Sequence, residues 1–205
     1  SSAEGTILND DALSVQFAAA SQSVFESGWW DGSWSKRTRL QINNAAGTEA
    51  LRDFPMMVKL NSSRIDYSSA MANGEDIRFI SSNGAESYSF EIEKWNPAGE
   101  SVVWVKIPFI PAGTDSGHFY LYYGNGTATL AENPTDVWTN GYQGVYHMGS
   151  SITDSTSNAY HAITDSGSVL VNGFLGDARD FNASDYISLG NRALLKSGFP
   201  ISVES

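Results

Sequence analysis

Glu91 and Glu93 stand two positions apart in the run SYSFEIEKW, an example of paired carboxylates of the kind that can do acid–base work. Two carboxyl groups flanking a sugar linkage can divide the roles of acid and nucleophile or base. On a strand, residues two apart share a face. The same spacing therefore marks the wet face of an antiparallel sheet, and that is the expectation here. The three histidines are His118, His147 and His161. None has the i, i+4 spacing of a helical metal pair, and no serine sits in a G-x-S-x-G elbow. His118 falls opposite the apolar set of its strand, and His147 shares parity with Val145. Both read as structural, and His161 reads as solvated. The expectation is a protein that is not an enzyme.

Oxygen ligands are more plentiful. Calcium takes 6–8 oxygens from carboxylates, carbonyls and water. Asn9, Asp10, Asp11 and Glu26 offer one such set. Asp154 with Asn158, joined by Asp177 or Asp185, offers a second. The expected calcium ligands are Asp10, Asp11, Glu26, Asp154 and Asn158. The competing reading of both stretches is a set of Asx turns, in which the side chains hold their own backbone. Neither stretch has the spacing of an EF-hand loop.

Aromatic rings are the third resource. Three of the six tryptophans, Trp29, Trp30 and Trp34, lie in WWDGSW. Sugar sites use exposed ring faces with polar neighbours. Trp29, Trp104 and Tyr122 are the candidate ligand-binding rings. Trp104, Tyr120 and Tyr122 lie opposite the apolar sets of their strands, so either a second layer covers them or they form an exposed face. WWDGSW precedes the first regular alternation, and its expected role is to anchor a core, with Trp29 the most exposed ring. Arg78, in NGEDIRF, is expected to pair with a carboxylate such as Glu91 or Glu93; a clamp on a ligand carboxylate is the sharper alternative.

The elements that must position these residues alternate with period two. Thr38, Leu40 and Ile42 form one buried set, and Phe54, Met56, Val58 and Leu60 the next. Ile77 and Phe79, then Tyr88, Phe90 and Ile92, follow. Val103, Val105, Ile107 and Phe109, and then Phe119, Leu121 and Tyr123, complete the series. Turn signals such as SSNGAE, NPAGE and GNGT separate the runs. A short helical turn is expected around 66–72 and a strand at GVYHMG. The reading is an all-β, antiparallel β-sandwich, jelly-roll-like, with a boundary near 132–140 and a second alternating block in RDFNASDYISLG.

The chain has 205 residues, 41% apolar, with 12 Lys and Arg against 23 Asp and Glu, a formal net charge of −11. Phosphate backbones and anionic lipid both require clustered cations. Nucleic acid and membrane-surface binding are therefore excluded as primary roles. There is no cysteine, which removes disulfides and thiolate chemistry. No apolar run approaches the roughly 20 residues of a membrane-spanning helix. The absence of an initiator Met and the strand-like end FPISVES suggest a piece of a longer protein. The ISVES end is expected to pair with another strand.

Three stretches resemble known families. WWDGSWSKR, FPMMVKLN, NGEDIRF, YSFEIEKWN, VVWVKIP and YLYYGN, in that order over 29–126, resemble a bacterial domain-of-unknown-function family. Its members occur in large exported proteins and beside TolQ/ExbB-type proton channels. GVYHMG, DSTSN and RDFNASDYISLG resemble the first strands of a laminin-G/concanavalin-like lectin domain, here incomplete. GTILNDD and ALSVQFAAASQSVFESG resemble the closing and opening strands of Calx-β domains, whose acidic strand ends hold calcium. The implied division is 1–28, a Calx-β-like remnant; 29–132, the sandwich; and 133–205, part of a concanavalin/laminin-G-like sandwich. The implied role is a non-enzymatic extracellular module of a bacterial adhesin, a spacer or an element binding a glycan or a cell-surface protein, stacked on neighbouring β-modules. The alternatives are a sensor for a proton-channel-coupled envelope complex and an accessory domain of a polysaccharide-degrading enzyme.

Overall fold

The computed structural model describes residues 14–17, 22–23 and 28–192, with side chains from residue 28 onward. Its strands are β1 (Ser14–Phe17), β2 (Gln22–Ser23), β3 (Lys36–Asn43), β4 (Leu51–Leu60), β5 (Arg78–Ser81), β6 (Ser87–Tyr88), β7 (Phe90–Lys94), β8 (Ser101–Ile110) and β9 (His118–Tyr123). A one-turn helix α1 (Pro134–Val137) follows, then β10 (Thr164–Ser166), β11 (Val169–Asn172), β12 (Asp177–Asp180) and β13 (Tyr186–Ser188). All pairings are antiparallel. One sheet runs β1-β3-β9-β5-β6, with β2 also on β3; the other is β4-β8-β7. Two ribbons, β10-β13 and β11-β12, complete the described strands.

The two sheets bury the alternating sets between them. Leu40, Phe79, Phe119, Leu121 and Tyr123 from one meet Val58, Leu60, Val103 and Val105 from the other, all 0% exposed. The all-β reading and the expected inward faces hold, with one exception. Phe109 is 46% exposed, while its neighbour Ile110 is 1% exposed. The cause lies in the ladder itself. Arg52 pairs Phe109 and Phe54 pairs Ile107 in one register, and between them neither Asp53 nor Pro108, which has no N–H, has a Cα partner. Asp53 sits at φ 46°, out of the pleat, and the parity of both strands changes there. Arg52 stacks its guanidinium on the outward Phe109 ring, 4.8 Å from its centroid. β4 is an edge strand, and it also carries Pro55.

Two local expectations are corrected. Residues 66–72 form turns rather than a helix, because the Asp66 carboxylate accepts from Ser68 N, Ser68 Oγ and Ser69 Oγ and closes the chain early. GVYHMG forms no ladder; its Val145 is held by Ser155 N, which donates to Val145 O. The single described helix instead begins at Pro134, whose fixed φ suits a first helical position. The Calx-β-like acidic residues Asp10, Asp11 and Glu26, and the ISVES end, lie outside the described residues.

Asp76 explains why NGEDIRF and YYGN occur together. Its side chain is fully buried and accepts from Met71 N, 2.9 Å, Gly124 N, 2.6 Å, and Asn125 N, 3.2 Å. Gly124, at φ 83°, gives that turn its left-handed residue. We predict that Asp76→Ala, which removes the acceptor of one buried and two half-buried N–H donors, lowers the unfolding free energy by about 3 kcal/mol. A urea titration at constant m-value measures the loss.

Candidate functional site at the buried glutamate pair

Glu91 and Glu93 point from β7 to the outer face of the three-stranded sheet. That face is not wet, contrary to the expectation. Chain from α1 onward is laid across it, and Glu91 is 7% exposed. Glu91 Oε2 accepts from the Trp138 indole N–H at 2.5 Å and faces His147 Nε2 at 3.0 Å, while Oε1 accepts from Ser155 Oγ at 2.5 Å. Glu93 Oε2 accepts from the Trp104 indole N–H and lies 3.3 Å from His147 Nδ1. The imidazole is thus held between two carboxylates, one at each ring nitrogen. Trp104 and Trp138 pack 5.2 Å apart, with Tyr142 against Trp138 at 5.2 Å and His147 at 6.0 Å.

The electrostatics follow from this arrangement. Burial alone would push His147 down, but hydrogen bonds and charge from Glu91 and Glu93 outweigh it and lift the group to about 9. Burial pushes Glu91 and Glu93 up. Hydrogen bonds from His147, Ser155 and Trp138 to Glu91, and from His147 and Trp104 to Glu93, hold both below the usual glutamate value. The imidazole is therefore a cation at neutral pH, and the cluster carries one net negative charge. Each proton on the ring faces an acceptor, and neither nitrogen is left as a base. As a glycosidase pair the two acids are in the wrong state, because both are ionised and neither is free to give a proton.

The other candidate residues fall in separate places. Asp154 is 5% exposed, and its Oδ1 accepts from Val145 N and Thr156 N, its Oδ2 from Thr156 Oγ1 and Tyr160 N. Asn158 Nδ2 donates to Gln143 O, 3.0 Å, and Tyr142 O, 3.5 Å. This loop is built around Asp154 by protein donors. Asp177 pairs with Asn172 in the β11–β12 ribbon, and Asp185 Oδ2 accepts from Asn182 N. Among the described residues no group of three or more His, Asp or Glu side chains is disposed to hold a metal.

Tyr122 is 1% exposed, and Trp29 and Trp30 cover it at 5.3 and 5.7 Å between centroids. Its ring face is occupied by the protein itself. Its hydroxyl accepts from Trp30 N, 3.1 Å, and Arg37 Nη1, 3.2 Å. Trp34 is anchored by its indole N–H on Asp76 O, 2.6 Å. WWDGSW is thus a lid on the outer face of the larger sheet, and Trp29 remains half-buried over Arg37. Arg78 corrects its expectation. It lies on the larger sheet, away from Glu91 and Glu93, donates to the carbonyls of Glu75, Ile77 and Thr129, and stacks on Trp34 at 5.3 Å.

Trp138 and Ser155 were not singled out by the sequence. Their signal is faint: a tryptophan and a serine after the last long strand, with nothing to say which face they cover.

Residues 73–159 match the model of a domain of unknown function (DUF2341). The match opens at NGEDIRF, runs through the boundary expected near 132–140, and includes Trp138, His147 and Ser155 along with the glutamates they meet. No curated protein and no solved structure matches the chain.

A group whose folded pKa is raised stabilises the fold below its unfolded value and loses that contribution as pH rises through the folded value. For His147 the window runs from 6.5 to about 9. We predict that His147→Gln costs on the order of 3 kcal/mol below pH 6.5 and almost nothing above pH 9. Chemical denaturation of both proteins across that range checks it.

Proposed function

We propose that this chain is a non-enzymatic β-module of a long extracellular bacterial protein of adhesin type, acting as a rigid spacer that presents a surface. The observation that carries this reading is the closed state of the Glu91–His147–Glu93 cluster. It is the richest acid–base group among the described residues, and its ring nitrogens and carboxylates are engaged with one another and with Trp104, Trp138 and Ser155. It welds chain beyond residue 133 to the sandwich rather than opening to a substrate. The net charge of −11 and the absence of cysteine fit an exported, soluble surface. Assay of the protein on aryl glycosides, soluble polysaccharides and casein tests the reading. No turnover is expected, and turnover abolished by Glu91→Gln would overturn it.

Calcium at Asp10, Asp11 and Glu26 belongs to the same proposal and rests on the sequence alone. A metal that binds the folded state raises its melting temperature by mass action. We predict that about 5 mM Ca²⁺, above the roughly 0.1–1 mM affinities of extracellular modules, raises the melting temperature. Asp154→Asn is predicted to lower it equally with Ca²⁺ and with chelator. A calcium response lost in Asp154→Asn would instead assign the metal to the 154–158 loop.

A further inference from the structure

The outer face of the larger sheet is closed at one end by the WWDGSW lid. Beyond the lid, β3 and β9 present Arg39 and Gln41 beside Tyr120 and His118, each half-buried. The register pairs Arg39 with Tyr120 and Gln41 with His118, so the four side chains form a two-by-two patch on adjacent strands. Along each strand the patch spans about 7 Å. The Arg37 guanidinium lies over one face of the Tyr120 ring, 4.5 Å from its centroid, and His118 meets the ring edge-on at 5.6 Å. Gln41 is fixed by donating to Asp115 O at 2.6 Å.

The charge of this patch is unusual for the chain. Arg39 donates to Gln41 Oε1 at 2.9 Å and, among the described residues, meets no carboxylate. Partial burial, and after it the neighbouring Arg39 charge, hold His118 below its ordinary value. A guanidinium with no carboxylate partner among the described residues thus lies beside an aromatic ring in a chain whose formal net charge is −11. An arginine so placed matches a carboxylate with two parallel N–H bonds. A propped tyrosine matches the flat face of a ring.

The strands also limit the kind of partner. β3 is paired on both sides, with β1 and β2 on one flank and β9 on the other, and β9 is flanked by β3 and β5. On the first flank β2 pairs residues 36–37 and β1 residues 40–43, so among the described residues little backbone is left here for an acidic peptide to add to as a strand. Recognition must come from above, through side chains alone, which suits a sugar ring bearing a carboxylate.

We propose that Arg39, Gln41, Tyr120 and His118 form a binding face for a carboxylate-bearing polysaccharide, with Arg39 on the carboxylate and Tyr120 against the sugar ring. This deepens the module reading above and rests on it.

The test is calorimetric titration of the whole chain with polygalacturonate, with neutral dextran and with poly-glutamate, at low and moderate NaCl. The expected result is binding of polygalacturonate that weakens with salt, without binding of dextran. Arg39→Gln should weaken it at least about tenfold, roughly 1.4 kcal/mol, with the melting temperature unchanged. Should Arg39→Gln fail to fold, Tyr120→Ala is read in its place with the same expectation. Absence of polygalacturonate binding, or binding that survives the substitution in a folded variant, overturns the proposal. Equal binding of poly-glutamate overturns it too, by making the face a general acceptor of acidic polymers. New reducing ends in the same samples would instead count against the non-enzymatic reading and leave the assignment of the face standing.

Discussion

A carboxylate taken out of water must be given hydrogen-bond donors, and Glu91 sets that condition on the chain between Trp138 and Ser155. Its two oxygens face an indole N–H, a hydroxyl and an imidazolium, all from a stretch of chain with little regular structure of its own. Removing any one would leave charge in a low-dielectric site without compensation. The stretch from α1 to Tyr160 is therefore ordered by polar demand rather than by a ladder. The turn that joins β11 to β12 passes close to the other glutamate, where a Cβ at Gly176 would come within 3.2 Å of Glu93 Oε1.

The two faces of the sandwich are finished by different physics. On the smaller sheet the cover is ionic and held by the glutamates. On the larger sheet it is aromatic: Trp29, Trp30 and Trp34 close over Tyr122 and Ile80, with Arg37 sandwiched between Trp29 and Tyr120. Asp76 ties this lid to the core by accepting from the Gly124 turn through its side chain and from Trp34 through its carbonyl. One buried acid thus serves on each side of the sandwich, each collecting donors from segments far apart in sequence.

The inner faces were legible from period-two patterning, since an apolar residue at every second position has one place to go. Phe109 escaped that logic because the ladder is interrupted where Asp53, at positive φ, lies opposite Pro108; the proline was visible in SVVWVKIPFI, but the left-handed backbone across from it was not. The outer faces were half legible. Trp104 and Tyr122 were seen to oppose the apolar sets, yet alternation does not say whether solvent or more protein lies above them. Glu91 was misread for the same reason: a charged residue opposite the core set signals water unless a donor-bearing cover exists, and that cover came from residues 138–155. The Asp154 turn was readable in DSTSN, where Asx geometry competed with calcium. Its carboxylate is met by four donors from its own loop and neighbours.

The displaced Asp53 and the neighbouring Pro55 have an effect beyond the parity of one ladder. They interrupt the free edge of the smaller sheet, the margin along which a strand from another molecule would have to zip. Pro55 has no N–H to offer, and Asp53 breaks the even spacing that such zipping requires. A margin that cannot template a new strand keeps two molecules that meet along this side from merging into one continuous sheet.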